Sequence, residues 1–186
     1  MSDEPAVVIL LNGPGSAGKS SIARALQAAA RRTFLHVSMD GFLEMMPERL
    51  FGLPEGLVFR ATHSDGKPAV AVEAGPAVVD TLFGMRRAIA ALADTGLNII
   101  VDDVLLNGEI TDYESLLTPY RFLKIGVTAP LEALERREKA RGDREIGLSR
   151  LQIDRVHVGI DYDMMLDTST MTVESCALHI RDAYNL

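Results

Sequence analysis

Residues 13–20 read Gly13-Pro14-Gly15-Ser16-Ala17-Gly18-Lys19-Ser20 and match the pattern G-x-x-x-x-G-K-[ST]. The chemistry this spacing serves is the gripping of a triphosphate. Glycines let the backbone turn its N–H groups inward onto phosphate oxygens. A helix beginning at the loop adds the positive end of its dipole. Lys19 brings a mobile cation to the terminal phosphates, and the Ser20 hydroxyl is placed to bind Mg²⁺. The apolar run Ala6-Val7-Val8-Ile9-Leu10-Leu11 precedes the loop, and Ser21-Ile22-Ala23-Arg24 follows it as a helix start. Strand, glycine loop and helix are the context the motif requires, and they imply a nucleoside triphosphate ligand.

Three further carboxylates have the type and place for chemistry on that ligand. Asp102 and Asp103 end the run Ile99-Ile100-Val101. An acidic residue at such a strand end holds Mg²⁺ directly or through water. Alternation along a strand points the two to opposite faces, and Asp102 suits the metal better, with Asp103 the alternative. Asp40 follows Val37-Ser38-Met39 directly. Two readings stand for it: a base that accepts the proton of an attacking hydroxyl, or the N-cap of a helix over Gly41-Phe42-Leu43-Glu44-Met45-Met46.

The most basic stretch is Arg136-Arg137-Glu138-Lys139-Ala140-Arg141-Gly142-Asp143-Arg144. A cationic lid over 137–147 would close on phosphates, with Arg141 and Arg144 flanking a break at Gly142 and Arg137 on the nucleotide. The competing reading is a charged, solvent-facing helix. Asp167 and Thr168 either begin a loop that wraps the nucleotide base or cap the final helix. His36, His63, His157 and His179 have no metal-ligand spacing and read as structural. Met39, Met45, Met46, Met164 and Met165 read as core or as a plastic apolar pocket.

These groups need a scaffold that brings them to one edge. Near-continuous apolar runs at 6–11, 33–38, 97–102 and 122–127, with a short one at 164–167, are the mark of strands covered on both faces. Helical segments fit between them at 19–32, 76–95, 108–118, 130–141, 148–158 and 172–184. The alternation predicts an α/β three-layer sandwich with a mainly parallel five-stranded sheet, its ligands at the carboxyl ends of the strands. The stretch 51–75 breaks the rhythm. Ser64-Asp65-Gly66-Lys67 between Val58-Phe59-Arg60 and Val70-Ala71-Val72 suggests either an inserted hairpin or an irregular loop.

The 186 residues suit one domain over 1–186. A composition of 47% hydrophobic and 24% charged residues is that of a soluble globular protein. A net charge of −7 argues against a nucleic-acid partner, and no apolar run is long enough for a membrane span. Cys176 is the only cysteine, so intramolecular disulfides and cysteine-based zinc sites are excluded. The start, Met1-Ser2-Asp3-Glu4-Pro5, lacks the basic region of a secretory signal, and the expectation is a cytoplasmic protein.

Taken in order, the pieces resemble the chloramphenicol phosphotransferases. The resemblance is carried by Leu11-Asn12-Gly13 leading into Ser16-Ala17-Gly18-Lys19-Ser20, by Asp40, by Ile99-Ile100-Val101-Asp102-Asp103-Val104, and by Ala140-Arg141-Gly142-Asp143-Arg144. Val156-His157 with Gly159, Tyr162-Asp163, Asp167-Thr168 and Glu174-Ser175-Cys176-Ala177 complete it. The resemblance implies a P-loop kinase-like fold and transfer of the γ-phosphate of ATP to a primary hydroxyl of the antibiotic. It implies Asp40 as base and gives Arg141 and Arg144 the lid role. The stretch 45–75, which helps to form the acceptor pocket in such folds, matches least. Rival readings are a kinase of another small hydroxyl metabolite or nucleotide, and an NTP-binding regulatory module. The Asn-Lys-x-Asp motif usual in guanine-selective switches is absent from the sequence.

Overall fold

A computed structural model describes residues 4–64, 66–141 and 147–186. Strands β1 (Val7–Asn12), β2 (Phe34–Ser38), β5 (Asn98–Asp103), β6 (Arg121–Thr128) and β7 (Met164–Asp167) form one parallel sheet in the order β2-β5-β1-β6-β7. Every residue of the central strand β1 is buried. This is why its run is unbroken by polar residues: both faces are roofed, so the usual alternation of a half-exposed strand has no reason to appear.

The two faces hold separate cores. Val7, Ile9 and Leu11 join Ile100, Ile125 and Val127 beneath α1 (Lys19–Ala29), α5 (Leu131–Arg141) and α7 (Val173–Tyr184). Val8 and Leu10 join Ile99 and Val101 beneath α3 (Pro76–Asp94) and α4 (Ile110–Leu116). The helices contribute apolar stripes at helical spacing. On α1 the buried positions are Lys19, Ile22, Ala23 and Leu26; on α7 they are Cys176, Ala177 and Ile180. Pro76 at the start of α3 suits a position whose N–H has no intrahelical partner.

The inserted stretch is a hairpin. β3 (Leu57–Ser64) pairs antiparallel with β4 (Lys67–Ala74), with Val58 and Val70 in its two strands. It docks on the short helix α6 (Leu148–Gln152), where the Val70 N–H donates to the Gly147 carbonyl at 3.2 Å. The remaining short helix, α2 (Met39–Leu43), follows β2 directly.

Some boundaries depart from expectation. The helix expected over 148–158 ends at Gln152, because the chain beyond it tightens into i→i−3 bonds such as Arg155 N–H to Gln152 O and Val158 N–H to Arg155 O. α1 stops at Ala29 rather than at 32. Met45 is 67% exposed in the turn after α2, and Met165 is 50% exposed on the edge strand β7, so neither packs in the core.

Register delivers the site. Ser38 pairs with Asp102, and Asn12 with Asp103, so β2, β5 and β1 all end at one level on the carboxyl edge. Gly13 is where β1 leaves the sheet, and a Cβ there would lie 2.0 Å from the Val127 carbonyl oxygen. Replacing Gly13 with Ala must therefore force β1 and β6 apart. We expect Gly13→Ala to lower the unfolding free energy by roughly 1–3 kcal/mol, measured as an earlier urea midpoint. An unchanged midpoint would show that the two strand ends separate without cost.

Candidate active site

The phosphate loop 13–20 closes onto α1 through Gly18, which adopts the left-handed conformation at φ 95 as the N-cap. Ser16 is left-handed too, at φ 62, a conformation that costs a non-glycine residue of order 1 kcal/mol. The loop carbonyls are tied back on the outer side. Arg137 donates from Nη1 to Thr168 Oγ1 (2.9 Å) and to the Ser16 carbonyl (3.4 Å), and from Nη2 to the Thr168 carbonyl (2.8 Å). Thr168 Oγ1 also bonds to the Ala17 carbonyl at 3.0 Å. Gly15 N–H donates to Gln152 Oε1 at 2.7 Å, which pins the first half of the loop to α6.

Lys19 and Ser20 leave α1 on the side facing β5. Lys19 Nζ donates to the Gly13 and Pro14 carbonyls at 2.8 and 3.0 Å and stands 3.8 Å from Asp102 Oδ1. Ser20 Oγ donates to Asp102 Oδ2 at 2.5 Å. Burial alone would raise the Asp102 pKa, but His36, Lys19 and Ser20 together outweigh it and hold the carboxyl below its ordinary value. An ionised carboxylate beside a serine hydroxyl is a pair of hard oxygen donors, and that chemistry fits Mg²⁺.

Asp103 points the other way. It is buried against α4, where it accepts from Tyr113 Oη at 2.8 Å and from the Val104 N–H at 2.7 Å. The choice between the two strand-end carboxylates is thus made by the strand's alternation: Asp102 faces the loop and Asp103 faces the opposite core.

Asp40 lies in the first turn of α2 and lines the same cavity as Lys19, Ser20 and Asp102, a space of about 610 Å³. The N-cap reading for Asp40 is overturned. Ser38 caps α2, its Oγ accepting the Gly41 N–H at 3.1 Å, because the helix starts one residue before Asp40. The cap reading for Asp167 and Thr168 is overturned as well. Thr172 caps α7 by accepting the Ser175 N–H at 3.1 Å, while Asp167 accepts the N–H and hydroxyl of Ser169. Thr168 and Arg137 line the cavity, as do Ser16, Ala17, Gly18 and Ser21. Arg144 and the side chain of Arg141 lie outside the described residues, as do residues 142–146 of the lid expected over 137–147.

The basic stretch is not simply a solvated helix face. Glu138 is 1% exposed and accepts the N–H groups of Gly147 (3.0 Å) and Ser149 (2.7 Å) at the start of α6. Composition gave no signal for that contact. Asn12 was also unread as a functional residue. It is fully buried and donates from Nδ2 to Tyr162 Oη (2.6 Å) and the Val156 carbonyl (2.7 Å), and its Oδ1 accepts the Leu105 N–H at 2.9 Å. His157 Nδ1 meets Tyr162 Oη at 2.9 Å. Val156, His157 and Tyr162 therefore converge on the residue just before the phosphate loop, while Asp163 accepts the Lys124 N–H on β6. His36 was read as structural but forms part of the cavity wall. Its spacing two before Ser38 on one strand was the available signal, since alternate residues share a face.

The family described as chloramphenicol phosphotransferase-like protein matches residues 6–185. The chain belongs to that family. A Mycobacterium tuberculosis protein provisionally described as an O-phosphotransferase is 34% identical over 183 residues, covering 95% of this chain and 81% of the relative. The fold is shared more widely. The Mycobacterium tuberculosis APS kinase, solved with AMPPNP and APS, superposes with a TM-score of 0.66 at 14% identity over 98% of this chain and 99% of the other. A gluconokinase from Sinorhizobium meliloti 1021 gives 0.62 at 16% identity over 100% and 97%. Among the described residues no helix is long and apolar enough to cross a membrane.

Asp103 yields a pH test. Burial raises its pKa from 3.8 to about 6, against the lowering effect of Tyr113 and the Val104 N–H. The folded state therefore holds a proton that the unfolded chain releases at lower pH. Stability should fall as pH rises from about 4 to about 6, by at most about 3 kcal/mol, and then level off. In Asp103→Asn that fall should disappear from urea titrations run across this range; persistence of the same slope would refute the assignment.

Proposed function

We propose that this protein transfers the γ-phosphoryl group of ATP to a hydroxyl of a small molecule, with chloramphenicol-like compounds the first acceptors to try. The observation that carries this reading is the shared cavity: the phosphate loop, the Ser20–Asp102 pair and Asp40 line one space. The family match and the kinase-like fold support it.

In this reading the amides of Ser16, Gly18, Lys19 and Ser20 and the Lys19 ammonium hold the β- and γ-phosphates. Asp40 orients the acceptor hydroxyl and takes its proton as the new O–P bond forms and the bond to the bridging β,γ-oxygen breaks, leaving ADP. Ser20 and Asp102 would hold Mg²⁺, which when bound neutralises charge on the β,γ-oxygens. Arg137 and Thr168 line the cavity on the side assigned to the nucleotide, and Asp167 directly precedes Thr168 at the end of β7. Arg141 and Arg144 are assigned to the lid on family resemblance. Asp40 and Glu44, one helical turn apart, both line the cavity on the α2 side. Dependence on ATP puts the activity in the cytoplasm, and resistance to the antibiotic would follow wherever chloramphenicol is accepted.

The test is a phosphotransfer assay with ATP, Mg²⁺ and chloramphenicol, repeated with a panel of neutral hydroxyl compounds. ADP release matched by a product one phosphoryl group heavier is the expected result. Asp40→Asn should lower turnover by about 10²–10⁴-fold. Full transfer by that variant would remove Asp40 as the base, and no phosphorylated product from any acceptor would overturn the reading.

A further inference from the structure

His36 sits on β2, the edge strand, at the position paired with Ile100, two residues before the Ser38–Asp102 pair. Alternation puts His36, Ser38, Ile100 and Asp102 on one face, beneath α1. Ile100 belongs to the apolar core there. An imidazole in such a layer is usually satisfied by a hydrogen bond, yet His36 Nε2 is buried and has no partner among the described residues. The group nearest in kind is Asp102, whose Oδ2 lies 3.8 Å from Nε2, beyond hydrogen-bond length but within electrostatic reach. The ring also lines the cavity.

Asp102 has more acceptor capacity than its neighbours fill. Ser20 Oγ occupies one side of Oδ2, and Lys19 stands 3.8 Å from Oδ1. The Asp102 side chain is 9% exposed, where it lines the cavity. A hydroxyl on one oxygen fixes a point and leaves rotation about it. A second group on the same oxygen would fix the plane.

We infer that His36 is a positioning residue for the metal: it steadies Asp102 Oδ2 together with Ser20, so that Oδ1 is presented to Mg²⁺ or to a water bound on it. This deepens the proposed phosphotransfer reading and rests on Asp102 serving the metal. Groups that orient a metal-binding carboxylate typically contribute 10–100-fold to metal affinity.

The readout is binding, not turnover. Mn²⁺ is titrated into the full-length enzyme saturated with ADP, and free Mn²⁺ is followed by electron paramagnetic resonance. Asp102→Asn provides the reference for loss of the metal carboxylate. His36→Leu, which keeps volume in an apolar layer but carries no nitrogen, should weaken Mn²⁺ binding about tenfold while leaving metal-free ADP affinity unchanged. His36→Gln, which restores an N–H near the Nε2 position, should recover binding to within about threefold of the parent. Parental Mn²⁺ affinity in His36→Leu overturns the inference alone. Equal weakening in His36→Leu and His36→Gln also overturns it, since that is the result of a packing role. Parental Mn²⁺ affinity in Asp102→Asn, or no Mn²⁺ binding by the parent with ADP, removes the metal role of Asp102 and takes this inference with it.

Discussion

The 2.5 Å hydrogen bond from Ser20 to Asp102 joins the two parts that every other feature of the site presupposes. Ser20 belongs to the first turn of α1, so its place is set by where β1 ends and how the loop turns. Asp102 belongs to β5, so its place is set by the sheet. The two meet because β1 and β5 are parallel neighbours in register, Leu11 opposite Asp102. A slip of one residue would put Asp103 toward the loop and Asp102 into the core beside Tyr113. The apolar runs that specify the register thus also choose which carboxylate meets the phosphate loop.

The same logic extends outward. β2 adds Ser38 at the level of Asp102, and Ser38 then caps α2, which places Asp40 a short distance beyond the sheet edge on the wall of the cavity. On the other flank, β6 and β7 carry the chain to Thr168, where Arg137 from α5 reaches across to the loop carbonyls. Behind the loop, Asn12 and Gln152 tie it to α6 and the segment that follows. Several of these bonds are long-range in sequence and buried, where a lost partner leaves a desolvated polar group behind. The loop is held by its surroundings as much as by its own glycines.

Legibility followed the type of signal. The five strands were readable from apolar runs because burial on both faces leaves no polar interruptions, and the phosphate loop was readable because its spacing has one physical use. Asp102 was separated from Asp103 by alternation alone. The turn chemistry was harder. Asp40 and Asp167 looked like caps because both precede helices, yet Ser38 and Thr172 do the capping; shifts of a few residues in a helix start are invisible to composition. His36, Asn12, Gln152 and Glu138 went unread as partners of the site because their partners are 66 to 150 residues away or lie in short backbone turns, and a single sequence carries no trace of such meetings.

The proposed function separates two tasks: the loop would bind the triphosphate, and Asp40 would act on the acceptor. Calorimetric titration of Mg²⁺·AMPPNP into the parent protein, Lys19→Ala and Asp40→Asn tests that division most directly. The parent and Asp40→Asn should bind with closely similar affinity, and Lys19→Ala should bind at least tenfold more weakly, as expected for loss of a charged phosphate contact. Weakening of Asp40→Asn to the level of Lys19→Ala would contradict the account, because Asp40 would then belong to the nucleotide and not to the acceptor.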